Sequence, residues 1–215
     1  MGRNKYPEQT LERILDVSSK LFIEKGYEQT SIQDILDALN LSKGGLYHHF
    51  KSKEEILEVV MQKRAQYVSD MLHDAIQSTN ADNAREKLKK ILYHLLNDTE
   101  TRSFDTVLTS QINNPRFVAG GLQECMKKDA PVISGLIQEG IEDGSLQVTQ
   151  PDFCAEIFLL LLNYWANPVL FRRSYSETKE RLNYLQSVMC LLGLDIVDER
   201  FMDAFLDAYQ KMGAY

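Results

Sequence analysis

The sequence predicts an all-α protein, with a small N-terminal head of three helices and a larger helical body. Apolar residues recur at the three- and four-residue spacing of a helix face through most of the chain, and no stretch alternates as a half-buried strand would. Helix breakers are few, with five prolines and eleven glycines in 215 residues. A chain of this length that is 44% hydrophobic and 26% charged has the composition of a soluble globular protein with a real core.

The head is predicted to begin with a helix from Pro7 or Thr10 to Lys25, after a short polar arm that carries Arg3 and Lys5. Gly26 is expected to end this helix as a C-terminal cap. One face of the helix is apolar and should cover the next two helices, which completes the head. That face consists of Leu11, Ile14, Leu15, Ser18, Leu21 and Phe22.

Two short helices joined by a tight turn are predicted between Thr30 and Lys53. Ser31 and Asp34 have the spacing of an N-terminal cap, with a hydroxyl at the cap and a carboxylate near the positive end of the helix. Asn40 tolerates the left-handed backbone that a turn between helices often needs. Ser42 then caps the second short helix, LSKGGLYHHF.

The outward side of this second helix indicates contact with a partner. Gly44 and Gly45 would each cost about 1 kcal/mol relative to alanine inside a helix, so they favour a close approach to another surface. A lysine, a tyrosine hydroxyl and two imidazoles beside them can donate to phosphate oxygens and base edges. Ser52 and Glu55 predict that a further helix starts at once. Two crossed helices with the second in the major groove form the helix-turn-helix arrangement that reads DNA.

The same residues carry a family resemblance. The strings RILDVSSKLFIEKGYEQTSIQDI and LSKGGLYHHFKSKEEIL resemble the N-terminal domain of the TetR/AcrR family of transcriptional regulators, over about the first sixty residues. The shared pattern is LF-x-E-x-GY, then TS, then SKG-x-LY-x-HF-x-SKE in one register. Leu36 stands where the family usually has alanine, and Asn40 where it usually has glycine. Both residues are compatible with the fold.

The residues expected to contact DNA lie on or beside the second short helix. By resemblance, Tyr47 and Lys53 bind phosphate, whereas positions near Lys43 and His48 meet bases. The alternative is a solvated face on a short helix. A metal site at His48 and His49 is not expected, because neighbouring residues on a helix point about a hundred degrees apart. The predicted set is Lys43, Gly44, Gly45, Tyr47, His48, His49 and Lys53, supported by Gln33 and the hydroxyls of Thr30, Ser31 and Ser42.

Charge is distributed unevenly along the chain, whose formal net charge is -7. Residues 1–53 hold eight Lys or Arg against seven Asp or Glu, and the remainder holds sixteen against twenty-four. This asymmetry is typical of a DNA-binding head on an acidic body that DNA repels. An acidic body that serves only solubility is equally compatible.

The body, predicted from residue 53 to 215, is a series of further helices. A long helix runs from Lys53 to Gln77, and the last helices are more apolar than a water-facing helix should be. Those apolar helices are either buried or paired with a second copy, and the resemblance implies the second. A two-fold dimer would present two recognition helices about 34–36 Å apart and prefer a palindromic operator. The intermediate and final helices are predicted at 82–96, 104–112, 116–143 (bent or split by Gly120-Gly121 and Pro131), 152–170, 177–192 and 198–211.

Aromatic and sulfur-containing side chains of the body could line a cavity for a small effector, as the resemblance implies. The same stripes are also typical of plain core. Asn163 and His94 are possible polar anchors, although a satisfied amide and a surface histidine are the simpler interpretations. The candidate lining residues are Tyr67, Met71, Tyr93, Phe104, Phe117, Met126, Phe158 and Trp165.

The sequence disfavours several classes of protein. The sequence has no glycine-rich phosphate loop, HExxH, Cys/His metal pattern or Gly-x-Ser-x-Gly, so no enzymatic activity, metal or cofactor is expected. Its longest apolar run is six residues, and no signal peptide opens it, so a cytoplasmic protein without membrane contact is expected. Cys125, Cys154 and Cys190 are expected to be reduced core residues, with Cys125, beside two lysines, as a weak redox candidate.

These observations predict a ligand-responsive transcriptional regulator. We expect a homodimeric repressor that binds a palindromic double-stranded DNA operator and is released by a small apolar or amphipathic effector. The alternative is a helix-turn-helix protein that a protein partner controls, without a small-molecule effector. Binding to any duplex, without sequence preference, is a third interpretation.

Overall fold

The computed structural model describes residues 7–98, 107, 111–112 and 114–215. In these ranges the chain is helical and contains no strand, which confirms the predicted all-α class. The first helices are α1 (Pro7–Lys25), α2 (Ile32–Leu39), α3 (Lys43–Tyr47) and α4 (Lys53–Ser78). They match the predicted head closely, because each boundary has a local signal in the sequence.

The later helices follow in the predicted order. They are α5 (Ala84–Asn97), α6 (Pro115–Glu124), α7 (Ala130–Glu142), α8 (Pro151–Leu160), α9 (Pro168–Phe171), α10 (Tyr175–Leu191) and α11 (Glu199–Lys211). Two wide turns of π-helix interrupt the series: πA (Cys125–Asp129) and πB (Leu161–Trp165). Most of the helix predicted at 104–112 lies outside the described residues.

The chain forms two compact units. The first comprises the described residues up to Tyr67 together with Val107 and Gln111, and the second comprises the other described residues, from Val68 onward. The division falls within α4. The domain boundary predicted after Ser52 divides the DNA-binding residues from those expected to bind the effector and form the dimer. This boundary stays a prediction.

One apolar core holds the first unit together. Ile14 and Phe22 of α1, Ile35 of α2, Leu46 of α3 and Ile56 of α4 are all fully buried in it. The apolar face of α1 therefore covers α2 and α3 as the sequence predicts. Ser18 is also fully buried on this face, and among the described residues its hydroxyl has no hydrogen-bond partner.

The second unit has its own core. Ile91 of α5, Ile137 of α7, Phe158 of α8 and Leu182 of α10 are fully buried there, and Phe205 of α11 is nearly so. The C-terminal helix is therefore an integral part of this unit. Lys89 of α5 forms an ion pair with Asp198, the N-cap of α11, at 3.0 Å.

The long helix predicted from 116 to 143 is interrupted at πA. Gly120 and Gly121, which were candidates for the bend, lie inside the regular helix α6. Pro131 lies one residue into α7, directly after the wide turn. A proline ring clashes with the carbonyl four residues earlier in a regular helix, so the backbone widens in the turn before it. The interruption is thus placed by the proline.

The helix predicted from 152 to 170 is also interrupted. α8 ends at Leu160 and continues as πB, and Asn167 then caps the short helix α9 through Val169 N at 3.0 Å. The regular helix therefore ends ten residues before the predicted end at residue 170.

Candidate nucleic-acid interface

Hydrogen-bonded caps fix the two short helices of the first unit. Ser31 Oγ accepts from Asp34 N at 3.1 Å while Asp34 Oδ2 accepts from Ser31 N at 2.7 Å, which completes the predicted capping box. Asn40 has φ 51°, the left-handed conformation expected of it. Ser42 Oγ accepts from Gly45 N at 3.2 Å and begins α3. These local bonds position α3 without any contribution from its outward side.

The outward side of α3 is polar and open. Lys43, Gly44, Tyr47 and His48 are exposed, whereas Leu46 faces the core. A methyl group added at Gly44 would meet no atom within 4 Å, and one at Gly45 would make only ordinary contacts at 3.4 Å. Nothing in the described part of the protein requires glycine at position 44. A requirement for it would have to come from a surface that approaches α3 from outside.

The side chains around α3 offer several hydrogen-bond donors. Lys43 Nζ lies 5.9 Å from the centre of the Tyr47 ring, which is 43% exposed. The His48 and His49 rings meet edge to face, with their centres 5.2 Å apart. An ammonium, a phenol and imidazoles on one short helix can donate to phosphate oxygens and to acceptors in the major groove.

The supporting residues fall into two groups. Ser31, Gln33 and Ser42 are exposed near the starts of α2 and α3, and Gln33 Nε2 donates to Asp37 Oδ1 at 2.7 Å. Thr30 differs, because it is only 1% exposed and its hydroxyl donates to Gly26 O at 2.8 Å and Leu21 O at 3.2 Å. The predicted DNA contact of the Thr30 hydroxyl is therefore corrected: this hydroxyl closes the turn after α1.

Lys53 has a structural role that the sequence did not reveal. Its Nζ donates to Tyr27 O and to Thr30 O, both at 2.9 Å, and lies 4.2 Å from the centre of the Tyr27 ring. Two of the three ammonium hydrogens thus hold the first residue of α4 against the turn between α1 and α2. The predicted phosphate contact of Lys53 would have to use the third hydrogen.

Three further residues around this turn were missed by the sequence reasoning. Tyr27 OH donates to Glu54 Oε1 at 3.4 Å, and burial together with Glu54 raises the pKa of Tyr27 well above its usual value. Lys25 Nζ bonds Asp34 Oδ1 at 2.7 Å. This bond and those from Ser31 hold the pKa of Asp34 far below its usual range. Tyr27 lies in the GY pattern, but the partners are nine to twenty-seven residues apart in sequence, so spacing gave no signal.

The candidate effector residues differ in burial and in their surroundings. Phe158 is fully buried core, and Met126 and Trp165 are half-buried against the core of the second unit. Tyr93 packs under the guanidinium of Arg200 at 3.9 Å. Phe104 lies outside the described residues, and Tyr67, Met71 and Phe117 are half-buried. Of the two proposed anchors, His94 is exposed, and Asn163 Nδ2 donates to Cys125 Sγ at 3.6 Å.

The cysteines are all free thiols. Cys125 and Cys154 are buried, but Cys190 is exposed, which corrects the expectation that all three are core residues. Burial and Asp129 raise the pKa of Cys125 to about 12. A redox sensor needs an accessible thiolate, so the structure disfavours Cys125 in that role.

The described residues contain no group of three or more His, Cys, Asp or Glu side chains placed to hold a metal ion. No helix in the described part of the chain combines the length and the apolar character needed to cross a bilayer.

A three-helix core that carries a capped, glycine-containing helix with exposed donors defines a helix-turn-helix DNA-binding transcriptional regulator. Residues 14–60 match the profile described as "Bacterial regulatory proteins, tetR family". The biofilm operon icaADBC HTH-type negative transcriptional regulator IcaR of Staphylococcus aureus is 24% identical over 184 residues, 85% of this chain and 97% of IcaR. The HTH-type transcriptional regulator YwcC of Bacillus subtilis is 31% identical over 103 residues, which cover 43% of this chain and 46% of YwcC.

A solved structure has the same fold. The crystal structure of a transcriptional regulator from Cytophaga hutchinsonii aligns with a TM-score of 0.66 at 19% identity, over 95% of each chain. Residues 14–60 are therefore similar to the DNA-binding domain of the TetR family of transcriptional regulators.

Proposed function

We propose that the protein is a homodimeric repressor that binds a palindromic operator and is released by a small apolar or amphipathic effector. In this proposal residues 1–52 read DNA, and residues 53–215 bind the effector and form the dimer. The observation that carries it is the outward side of α3, where Gly44, at which an added methyl group would meet no atom within 4 Å, lies among exposed Lys43, Tyr47 and His48. The similarity to IcaR, a negative transcriptional regulator, supports repression.

An exposed apolar stripe supports the dimer. On α8, Phe153, Ile157 and Leu160 are 62%, 39% and 43% exposed, at the spacing of one helix face. On α10, Tyr184 and Leu191 are 64% and 87% exposed, seven residues apart. Large apolar side chains in such rows mark interaction surfaces on soluble proteins, and a two-fold dimer would cover the same row on both copies.

Release by an effector needs a difference in affinity between two states. The effector must bind the dimer better when the spacing of its two α3 helices does not fit the operator, since equal binding to both states shifts nothing. Control by a protein partner remains the second candidate function. It predicts release of DNA by a protein and by no small molecule.

DNA binding is tested by gel shift with duplexes from the regions flanking the gene. Lys43→Ala should change which sequence is preferred, because a base contact is lost, whereas Tyr47→Phe should weaken all sequences alike, because a phosphate contact is lost. Lys20→Ala, on the exposed side of α1, is the control and should bind as the wild type does. Failure of the wild type to prefer any flanking duplex over unrelated DNA would contradict the proposal.

Dimerisation is tested by sedimentation. Leu191→Glu places a charge in the exposed row and should convert the dimer to monomer. Lys179→Glu changes the charge of an exposed residue of the same helix in the same direction and should leave the dimer intact. A wild-type protein that sediments as a monomer at micromolar concentration would rule out the symmetric arrangement.

A further inference from the structure

The outward face of α3 has a depression at Gly44. Tyr47 and His48 follow this glycine by three and four residues, so the three positions lie on one face of the helix. Side chains of a helix lean towards its N-terminus, which directs Tyr47 and His48 towards Gly44. Neither fills the space, because a methyl group added at Gly44 would meet no atom of either side chain within 4 Å. We call this space, bordered by Lys43, Tyr47 and His48, the Gly44 depression.

The fold holds this depression in place from the other side of α3. Leu46, on the inward face, is fully buried in the core of the first unit. Ser42 Oγ accepts from Gly45 N at 3.2 Å and fixes the first turn of the helix. Leu41 N donates to Leu36 O at 3.0 Å, which ties the segment before α3 to the last turn of α2. The depression is therefore formed before any partner approaches.

The depression differs chemically from its border. Lys43, Tyr47 and His48 carry groups that can donate hydrogen bonds, whereas Gly44 has no side chain and presents a Cα hydrogen where another residue has a Cβ. A polar group of a base placed against this point would lose water without gaining a side-chain partner, which is unfavourable. The apolar group that projects into the major groove is the C5 methyl group of thymine. It has about the size of the methyl group that glycine lacks.

We propose that the Gly44 depression receives the C5 methyl group of a thymine in each half-site of the operator. The base supplies the methyl group that the residue lacks, so the backbone of α3 and the base edge meet in van der Waals contact. Gly44 thereby determines specificity through shape, while its polar neighbours bind the acceptors around it. This inference rests on the proposed binding of a palindromic operator and names the base that this part of α3 selects.

Uracil in place of thymine tests the contact in the DNA, because the two bases differ only in the C5 methyl group. A preferred duplex is first selected from the regions flanking the gene. Each thymine of its half-sites is then replaced by deoxyuridine, one symmetric pair at a time, and the affinity of the wild type is measured by gel shift. We expect a symmetric pair of thymines at which the affinity falls about four-fold per half-site, the effect of removing one methyl group from an apolar contact.

Gly44→Ala should reverse this preference. The alanine methyl group fills the depression, so it clashes with the thymine methyl group and fits against uracil at the same base pair. The variant should bind the thymine duplex about ten-fold more weakly than the wild type does, and it should bind the uracil duplex more tightly than the thymine duplex. Gly45→Ala is the matched control, because a methyl group there contacts only Leu41 and Ser42, at 3.4 Å. It should keep the preference for thymine, and alanine favours the helix in both variants.

The outcomes separate this inference from the function on which it rests. A wild type that prefers no flanking duplex over unrelated DNA contradicts both. A wild type that prefers one duplex, but binds it equally well with uracil at every thymine position, overturns the inference and leaves the sequence-specific regulator standing. A sensitive thymine that Gly44→Ala still prefers over uracil also overturns it, because the methyl group then lies against another part of the protein.

Discussion

Two glycines in this chain occupy opposite kinds of environment. Gly193, after α10, has φ +82°, and a methyl group there would lie 2.2 Å from the carbonyl oxygen of Gln147. Its own carbonyl accepts from Gln147 N at 3.2 Å, which joins the turn after α10 to the segment between α7 and α8. Gly44 on α3 has ordinary helical geometry, and a methyl group there would meet no atom within 4 Å. The fold explains the first glycine and does not explain the second, so the second directs attention to a partner.

The largest expected effect concerns the glycine that the fold requires. Gly193→Ala combines a left-handed backbone with a clash against backbone atoms and should lower the free energy of unfolding by about 3 kcal/mol or more. Gly144→Ala is the matched control, because Gly144 has φ +76° but open space around it. It should cost only about 1 kcal/mol. Denaturant titration measures both, and equal losses would show that the clash relaxes freely.

A substitution at Lys53 tests whether this residue both stabilises the fold and contacts DNA. Lys53→Met keeps the length of the side chain but removes both bonds to the turn, so the free energy of unfolding should fall by about 2 kcal/mol. Lys51→Met, an exposed neighbour, should stay within about 0.5 kcal/mol of the wild type.

The salt dependence of DNA binding then separates the two roles of Lys53. If its third hydrogen reaches a phosphate, Lys53→Met reduces the slope of log affinity against log salt by about one. An unchanged slope together with the loss of stability would leave Lys53 with the structural role alone.

Gly44→Ala tests the glycine that the fold does not require. Alanine favours helix, so the free energy of unfolding should rise by up to about 1 kcal/mol while the affinity for DNA falls. Gly135→Ala in α7 also has open space and should raise stability without affecting DNA binding. Undiminished DNA affinity in Gly44→Ala would remove the evidence for close approach at this position.

The smallest effect is expected from pH at the start of α2. Asp34 has a lowered pKa because Lys25 and Ser31 stabilise its carboxylate, so its contribution to stability is complete above its ordinary value of 3.8. This contribution is lost as the pH falls below that value towards the lowered one. The difference in melting temperature between wild type and Asp34→Asn should therefore be constant from pH 7 to pH 5 and shrink in more acidic solution. A difference that is undiminished at pH 2 would contradict the assignment.

Local signals made the helix-turn-helix predictable. Ser31, Asp34, Asn40 and Ser42 act on atoms within a few residues, and the structure gives each of them the predicted conformation or bond. Gly26 likewise ends α1 with φ +89°. Where a residue acts on its own neighbourhood, its identity suffices to predict its role.

Long-range partners were not predictable. Lys53 and Tyr27 are twenty-six residues apart, and nothing in the spacing shows that an ammonium near the start of α4 will find two carbonyls there. The two wide turns were equally hidden, because a π-turn shifts hydrogen bonds by one residue without a distinctive composition. Only Pro131 marked the first of them.

Ser18 is a position at which a substitution should stabilise the first unit. Its hydroxyl is enclosed in the core, and no group in the described ranges accepts or donates to it. Leaving such a group unsatisfied costs about 1–3 kcal/mol, and alanine is the better helix former. Ser18→Ala is therefore the natural first step towards a heat-tolerant version of this domain, made from inside the protein with its DNA-facing side chains untouched.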